Sequence, residues 1–174
     1  MLGLLSGTAA AFGIFFWIFE VDGFRCFHFM ILGSNLGLYP AIWCTGLSIF
    51  KKNEYVSLVT VPALWCSLDY LKNHAGFLAF PWASLAHSQH ENLPLIQLSP
   101  YTGEYGITFL IVLINYAIAV AVVTRTWMPL ILPLCTIAFA HLRGWAELSW
   151  ASAGGEVQGC NGSTRFRPKP KKTR

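Results

Sequence analysis

The chain has 174 residues, of which 55% are hydrophobic and only 11% are charged, and its mean hydropathy is +0.51. Soluble domains average about 45–50% apolar and about 25% charged residues, so this composition excludes a disordered chain and disfavours a soluble globular domain. The net charge of +4 comes mostly from a basic C-terminal end, and we therefore expect no nucleic-acid partner. The five Cys show no C-x-x-C spacing, so neither a disulfide framework nor a zinc site is implied.

Two uncharged segments of membrane-spanning length come first. Residues 2–19 end at Glu20, and residues 27–50 end at Lys51. A helix that crosses a bilayer needs about 20 apolar residues. A signal peptide is the alternative for residues 2–19, but no positive segment precedes them and no A-x-A site follows, which favours a spanning helix. Small residues recur at helical spacing in this segment and predict close helix packing in lipid. They are Gly3, Ser6, Gly7 and Ala10.

Three further apolar segments follow. Residues 56–71 are short and predict either a tilted span or an interfacial helix, of which we favour the span. Residues 107–123 are the cleanest span, interrupted only by Asn115. Residues 127–141 are short and contain two prolines. The sequence therefore predicts an all-α membrane protein with about five transmembrane helices.

The charges of the connecting loops predict an orientation for a membrane domain over residues 1–142. Basic loops at Lys51 and Arg125 are expected in the cytoplasm, because cytoplasmic loops carry the excess of Lys and Arg. The N-terminus is then cytoplasmic, whereas a long, partly irregular loop over residues 72–106 and the C-terminus are extracytoplasmic. Residues 143–174 have little apolar periodicity and are rich in Gly, Ser, Lys and Pro, so we expect them to form a disordered basic tail.

Asp69 and Lys72 open the stretch that carries most of the polar chemistry. An acidic residue near the end of a span is a candidate functional residue, because its charge is expensive to bury. Lys72 lies three residues further on and shares the helix face of Asp69, so it is a candidate partner. The simpler interpretation, favoured by the residues alone, is a salt bridge at the interface that orients the helix.

The histidines and serines of the same stretch do not form a recognisable active site. His87 and His90 are spaced as H-x-x-H, but no third ligand accompanies them, and two interfacial histidines are the favoured interpretation. Ser84, Ser88 and Ser99 lack a G-x-S-x-G context, which argues against a serine nucleophile. The sequence therefore predicts no catalytic residue, no metal site and no cofactor.

Two local patterns favour contact with lipid and a sharp helix start. Phe77 and the Phe80-Pro81-Trp82 segment form an aromatic cluster at a Pro turn, which suits either insertion at the headgroup–acyl boundary or a plain interfacial anchor. Gly103 and Gly106 supply permissive backbone positions just before a span. Glu104 lies near the N-terminus of that span, where its charge favours the helix dipole.

Taken together, these residues resemble the membrane domain of the apolipoprotein N-acyltransferase family. That family shows an acid–aromatic–Leu–Arg run, Gly-Phe-Pro-Trp, an aromatic-Ser-Gln, a Gln, and Gly-x-aromatic-Gly leading into a span with an Asn. The matching positions are Asp69-Tyr70-Leu71-Lys72, Ala79-Phe80-Pro81-Trp82, His87-Ser88-Gln89, Gln97, Gly103-Glu104-Tyr105-Gly106 and Asn115, with Pro62-Ala63-Leu64-Trp65 upstream. Lys72 replaces Arg, Ala79 replaces Gly and His87 replaces Tyr, which leaves fine substrate preference open.

The resemblance implies a lipid-modifying enzyme of the bacterial inner membrane. The family moves an acyl chain from a phospholipid to the amino group of a lipoprotein's diacylglyceryl-cysteine, through a thioester on a Cys assisted by Glu and Lys in a nitrilase-like domain. The implied partners are membrane phospholipids and the diacylglyceryl-lipoprotein. The implied lipid-contacting residues are Phe77, Phe80, Pro81, Trp82, Gln89, Gln97 and Tyr105. The implied structural or polar residues are Asp69, Lys72, Gly103, Glu104, Gly106 and Asn115.

The family's catalytic Glu, Lys and Cys have no counterparts in this sequence. We therefore expect a truncated or frameshifted chain that is catalytically incomplete by itself. Cys160–Arg174, read one nucleotide later with suitable codons, resembles the opening of the nitrilase-like domain, which favours an out-of-frame tail. The alternatives are a non-enzymatic membrane subunit or lipid-binding module that partners a separate nitrilase-like protein, and a small transporter supported only by the Pro-interrupted segment.

Overall fold

The structure of the chain is a computed structural model that describes residues 2–23, 25–50 and 54–152. Within these ranges the secondary structure is helical and contains no strand, in agreement with the predicted all-α class. The α-helices are connected by loops and short 3₁₀ turns. They are α1 (Leu2–Ile14), α2 (Cys26–Phe50), α3 (Glu54–His74), α4 (Leu93–Ile96), α5 (Ser99–Thr124) and α6 (Ile131–Ser152).

Helices α1 and α2 form an antiparallel pair whose contact is lined by small residues. A Cβ added to Gly7 would lie 3.0 Å from Cγ of Pro40, and one added to Gly37 would overlap the side chain of Thr8. Each glycine thus allows the two backbones to approach more closely than an alanine would. The close packing predicted from the small residues of α1 is confirmed at Gly7, and also at Gly3, which lies against Cys44.

The main apolar core lies between α3, α5 and the turn that precedes α4. Leu113 on α5 is 1% exposed, and Ala86 in the turn packs into the same cluster. A hydrogen bond from Nε1 of Trp43 to the carbonyl of Val61, 3.1 Å long, joins α2 to α3. Helices α2, α3 and α5 are therefore held side by side, and the ends of α3 and α5 lie next to the turn.

Among the described residues, two helical segments are both long and apolar enough to cross a membrane, fewer than the five that the sequence predicts. They are Ser99–Thr124, with a mean hydropathy of 2.5, and Met128–Trp150, with a mean hydropathy of 1.2. The predicted first span is divided, because α1 ends at Ile14 and a 3₁₀ turn follows at Phe16–Glu20. A helix of 13 residues is about 20 Å long, shorter than the roughly 30 Å hydrocarbon core of a bilayer.

The predicted loop and tail also differ from the structure in their bounds. Helix α3 continues to His74 and α5 begins at Ser99, so the loop expected over residues 72–106 is shorter and contains α4. Helix α6 continues to Ser152, which corrects the expectation of disorder for residues 143–152. This part of α6 packs against α4, where Gly144 lies against the main chain of Pro94. The exposed pair of Arg143 and Glu147, 3.2 Å apart across one helical turn, adds only a few tenths of a kcal/mol.

The rest of the predicted tail, including Cys160–Arg174, lies outside the described residues.

Candidate functional site

A buried ion pair lies near the C-terminal end of α3. Nζ of Lys72 is 2.7 Å from Oδ1 of Asp69, and the two side chains are only 11% and 6% exposed. The pair forms as the i, i+3 spacing predicts, but it is enclosed by protein rather than exposed at an interface. Buried ions are stable only when their remaining hydrogen-bonding groups are also satisfied, so the surroundings of this pair determine its role.

The carboxylate of Asp69 is hydrogen-bonded from a second element of the fold. Oγ of Ser84, in the turn before α4, donates to Oδ2 of Asp69 at 3.1 Å. Oγ1 of Thr108 on α5 lies 3.2 Å from the same Ser84 oxygen. A serine hydroxyl has one proton, so Thr108 is the donor in this second hydrogen bond. Asp69 is thereby linked through Ser84 to α5.

Lys72 fixes the backbone of the Phe80-Pro81-Trp82 turn. Its Nζ donates to the main-chain carbonyl of Trp82 at 3.2 Å, and its own carbonyl accepts a hydrogen bond from the main-chain N–H of Phe80 at 3.0 Å. Ala83, between Trp82 and Ser84, has a φ of 57°. This left-handed conformation costs a non-glycine residue roughly 1–2 kcal/mol, and the hydrogen bonds on both sides of Ala83 hold it there.

The aromatic side chains of this turn pack against the end of α1. The ring of Phe80 meets that of Phe15 edge-on at a centroid distance of 4.9 Å. The ring of Trp82 stacks on Trp17 at 5.3 Å and remains about half exposed. Aromatic pairs of this kind stabilise a fold beyond the area that they bury. The turn therefore connects the end of α1 with α3 and presents Trp82 at the surface.

A cavity of about 150 Å³ lies between the turn and helices α1, α2 and α3. One end is polar and is formed by Asp69, Lys72 and Trp82. The remaining wall is almost entirely apolar. It is lined by Gly7, Ala10, Ala11, Ile14, Phe15, Leu36, Tyr39, Pro40, Trp65, Leu68 and Ala83.

A second polar cluster joins α3, α5 and the turn before α4. Nδ2 of Asn73 donates to Oε1 of Glu104 at 3.1 Å and to the hydroxyl of Tyr105 at 3.3 Å. Nε2 of His87 is 3.3 Å from Oε2 of Glu104. The buried Oδ1 of Asn73 has no hydrogen-bond partner among the described residues. Glu104 thus links the N-terminal part of α5 to α3 and to the turn before α4, in addition to the helix-dipole role predicted for it.

Gly103 and Gly106 shape the start of α5 in different ways. Gly103 has a φ of 64° and breaks the helix, which confirms the permissive position predicted there. Gly106 does not adopt a positive φ; a Cβ added to it would overlap the side chain of Thr102. Gly103 therefore permits the left-handed backbone conformation, and Gly106 permits close packing against Thr102.

Four of the residues that the resemblance implies lie away from the ion pair. Phe77 is fully exposed in its own 3₁₀ turn. Gln89 bonds to Ser88 and Asn92 beside it, and Gln97 reaches the carbonyl of Leu93 at 3.5 Å. Asn115 donates to the carbonyl of Ile111 in its own helix at 2.8 Å.

Sequence reasoning missed Ser84, Thr108 and Asn73 as members of these networks. They lie 15, 39 and 4 residues from Asp69 along the chain, and no motif or helical spacing links the first two to it. His87 and His90 do not act together, because His87 faces Glu104 whereas His90 lies beside Glu91. Among the described residues no group of three or more His, Cys, Asp or Glu is arranged to hold a metal ion.

Comparison with known proteins identifies the family. A family model described as the apolipoprotein N-acyltransferase N-terminal domain matches residues 1–117. The apolipoprotein N-acyltransferase of Geobacter metallireducens is 37% identical over 124 residues, which cover 66% of this chain and 23% of the relative. That of Photobacterium profundum is 33% identical over 121 residues, which cover 67% of this chain and 22% of the relative. That of Vibrio vulnificus is 28% identical over 163 residues, which cover 86% of this chain and 31% of the relative.

The chain thus spans less than a third of the length of these curated relatives. The matched region contains both polar networks, the Phe80-Pro81-Trp82 turn and the cavity. Since the family model covers more than half of the sequence, this chain belongs to the apolipoprotein N-acyltransferase family and carries its N-terminal domain.

Proposed function

We propose that this chain forms the lipid-holding membrane part of an apolipoprotein N-acyltransferase. The whole activity transfers an acyl chain from a phospholipid to the amino group of a lipoprotein's diacylglyceryl-cysteine. The observation that carries the proposal is the buried Asp69–Lys72 pair, which fixes the Phe80-Pro81-Trp82 turn in the matched domain. A rigid aromatic turn beside an apolar cavity is suited to contact acyl chains.

The proposed location is the bacterial inner membrane. Large apolar side chains are exposed on the outer faces of several helices, where lipid would cover them at no cost. Examples are Phe27 on α2, Val122 and Val123 on α5, and Phe139 and Leu142 on α6. We further propose that the N-terminus is cytoplasmic and that the Phe80-Pro81-Trp82 turn is extracytoplasmic, because Arg125 occupies the opposite loop.

The transfer step requires a nucleophile that takes the acyl chain as a thioester and releases it to the amine. Ser84 is the hydroxyl nearest the candidate site, but it is only 4% exposed and its proton is directed at Asp69. Asp69 is in turn neutralised by Lys72. This arrangement is suited to holding the turn and not to attacking an ester. We therefore propose that a nitrilase-like domain carries out the transfer on lipids that this chain holds.

A chimera tests the proposal directly. In the Geobacter metallireducens relative, the segment that aligns with residues 1–117 is replaced by the sequence of this chain. N-acylation of a lipoprotein is then measured by mass spectrometry in cells depleted of their own enzyme. We expect the chimera to acylate the lipoprotein. A correctly inserted chimera without activity would overturn the proposal.

Coexpression of the full chain with a free nitrilase-like domain tests the alternative of two separate proteins. Acylation that requires both polypeptides would show that the chain can serve as a membrane subunit. Acylation by this chain alone would contradict the proposed division of labour.

A further inference from the structure

We propose that Thr108 on α5 is a positioning residue for Trp82, and that it acts through the side chain of Ser84. This inference rests on the proposed function, because it concerns how the turn that would contact acyl chains is held in place. It goes beyond that function by assigning a task to a buried residue of a helix that does not belong to the turn.

Thr108 is fully buried, yet it carries a hydroxyl group. Its side chain is 0% exposed, and the nearby α5 residues Ile107 and Leu110 belong to the main apolar core. A hydroxyl that leaves water for such surroundings costs free energy unless it is hydrogen-bonded. Oγ of Ser84, 3.2 Å away, supplies the partner. Valine has the same shape without the hydroxyl, so packing alone does not explain a threonine at this position.

The hydrogen bonds of Ser84 run in one direction. A carboxylate only accepts, so the hydroxyl proton of Ser84 is directed at Oδ2 of Asp69, and Thr108 donates to the oxygen of Ser84. These two bonds, one to α3 and one from α5, hold the Ser84 side chain in a single orientation. Loss of the Thr108 hydroxyl leaves Ser84 attached to α3 alone.

The backbone between Trp82 and Ser84 is strained and is held on both sides. Ala83 lies between them with a φ of 57°. On one side, Lys72 of α3 binds the carbonyl of Trp82. On the other side, Thr108 of α5 binds the hydroxyl of Ser84. A residue stays in such a conformation only when its surroundings over-determine it. Removing the hold on Ser84 should therefore let Ala83 relax and move Trp82.

Thr108 does not line the cavity between the turn and helices α1, α2 and α3. It is also too deeply buried to meet a ligand at the surface. Any effect of Thr108 on the use of a lipid must therefore pass through the turn.

The position of Trp82 is measured by fluorine NMR on the full chain in lipid nanodiscs, after incorporation of fluorotryptophan. The Trp82 resonance is assigned by its loss in Trp82→Phe. In Thr108→Val we expect this resonance to shift by more than its linewidth. The resonance of Trp127, which is exposed beyond the other end of α5, should stay in place. An unchanged Trp82 resonance would overturn the proposal.

Two further variants separate the lost hydrogen bond from a general effect of substitution. Thr108→Ser keeps the hydroxyl and should retain the original Trp82 resonance. Thr136→Val makes the same change on α6, where the hydroxyl bonds to carbonyls of its own helix, and should not move Trp82. If either variant displaces Trp82 as much as Thr108→Val does, the proposal fails. Should Thr108→Val not fold, Thr108→Ala also removes the hydroxyl and is measured in its place, with the same outcomes.

The purified chimera connects the position of the turn to the reaction. A smaller amount of folded enzyme lowers the apparent kcat and leaves the KM for phospholipid unchanged. We expect Thr108→Val to raise the KM for phospholipid several-fold, because the displaced turn contacts the lipid less well. A lower kcat with an unchanged KM would show that Thr108 contributes to stability only, which contradicts a positioning role.

The two measurements separate this inference from the proposed function. If Thr108→Val moves the Trp82 resonance but the chimera without this substitution is inactive, the coupling of Thr108 to Trp82 stands and the proposed function fails. If the chimera acylates lipoproteins while Trp82 is insensitive to Thr108, the proposed function stands and the positioning role is wrong.

Discussion

Lys72 binds the main-chain carbonyl of Trp82 through Nζ, 3.2 Å away, while its own carbonyl accepts the N–H of Phe80. One residue of α3 thus holds both sides of the Phe-Pro-Trp turn. Since Nζ is also paired with Asp69, the position of the turn depends on a buried charge pair. A change at either charge should therefore alter the turn, although neither side chain belongs to it.

We expect Lys72→Met to destabilise the protein by about 3–5 kcal/mol, because it leaves the Asp69 carboxylate buried without its counter-ion. The double variant Asp69→Asn/Lys72→Met removes both charges and should be clearly more stable than the single variant. Thermal unfolding of the two proteins in the same detergent, followed by circular dichroism, measures the difference. A double variant less stable than Lys72→Met would show that the charge pair does not control this region.

The left-handed backbone of Ala83 gives a second prediction. Glycine adopts a φ near 57° without steric cost, so Ala83→Gly should stabilise the protein by about 1 kcal/mol. Ala83→Val places a β-branched side chain in the same conformation and should destabilise it. Unfolding midpoints of both variants against the unchanged protein provide the measurement. The opposite order would mean that Ala83 is not held in this conformation.

The sequence predicted the local parts of the site better than the distant ones. The pairing of Asp69 with Lys72 follows from helical spacing, and the turn at Pro81 follows from the properties of proline. The hydrogen bonds of Ser84 to Asp69 and Thr108 join residues 15 and 24 positions apart. Such contacts depend on how α3 and α5 pack, and no local pattern encodes that packing.

The first predicted span differs from the structure because apolar composition does not fix helix length. Residues 2–19 are uncharged throughout, yet α1 ends at Ile14, and a separate turn carries Phe16–Glu20. The tail prediction failed at residues 143–152 for a related reason. Arg143 interrupts the apolar sequence, yet the helix continues beyond it because Gly144 packs against Pro94 of α4 and the charges of Arg143 and Glu147 lie on the exposed face.

The contact between α4 and α6 gives a third prediction. A Cβ added to Gly144 would overlap the main-chain carbonyl of Pro94, so Gly144→Ala should push α4 away from α6 and destabilise the protein by about 1–3 kcal/mol. Gly13→Ala is the matched control, because an added Cβ there meets no atom within 4 Å. Helix propensity predicts that this control is neutral or stabilising by up to about 1 kcal/mol. Unfolding experiments that rank the two variants equally would contradict the close approach of α4 and α6.

The proposed orientation is tested by cysteine labelling in intact cells. In a variant whose native cysteines are replaced by serine, Phe77→Cys should react with a membrane-impermeant maleimide, because Phe77 is fully exposed and is proposed to be extracytoplasmic. Thr126→Cys, which is also exposed but lies beside Arg125, should react only after the membrane is permeabilised. The reverse pattern would invert the topology.

Ser84 distinguishes a positioning role from a catalytic one. Ser84→Ala removes the hydrogen bond to Oδ2 of Asp69, and we expect a loss of about 1–3 kcal/mol in stability from the unsatisfied buried acceptor. Ser88→Ala is the matched control, because Ser88 is exposed and bonds only within its own turn region; it should change stability by less than about 0.5 kcal/mol.

The readout that separates the two roles is acyl transfer by the chimera at a temperature where the Ser84→Ala protein is folded. We expect N-acylation to persist, because the buried hydroxyl holds the turn and does not receive the acyl group. Complete loss of transfer by folded Ser84→Ala would contradict a role of Ser84 that is confined to stability.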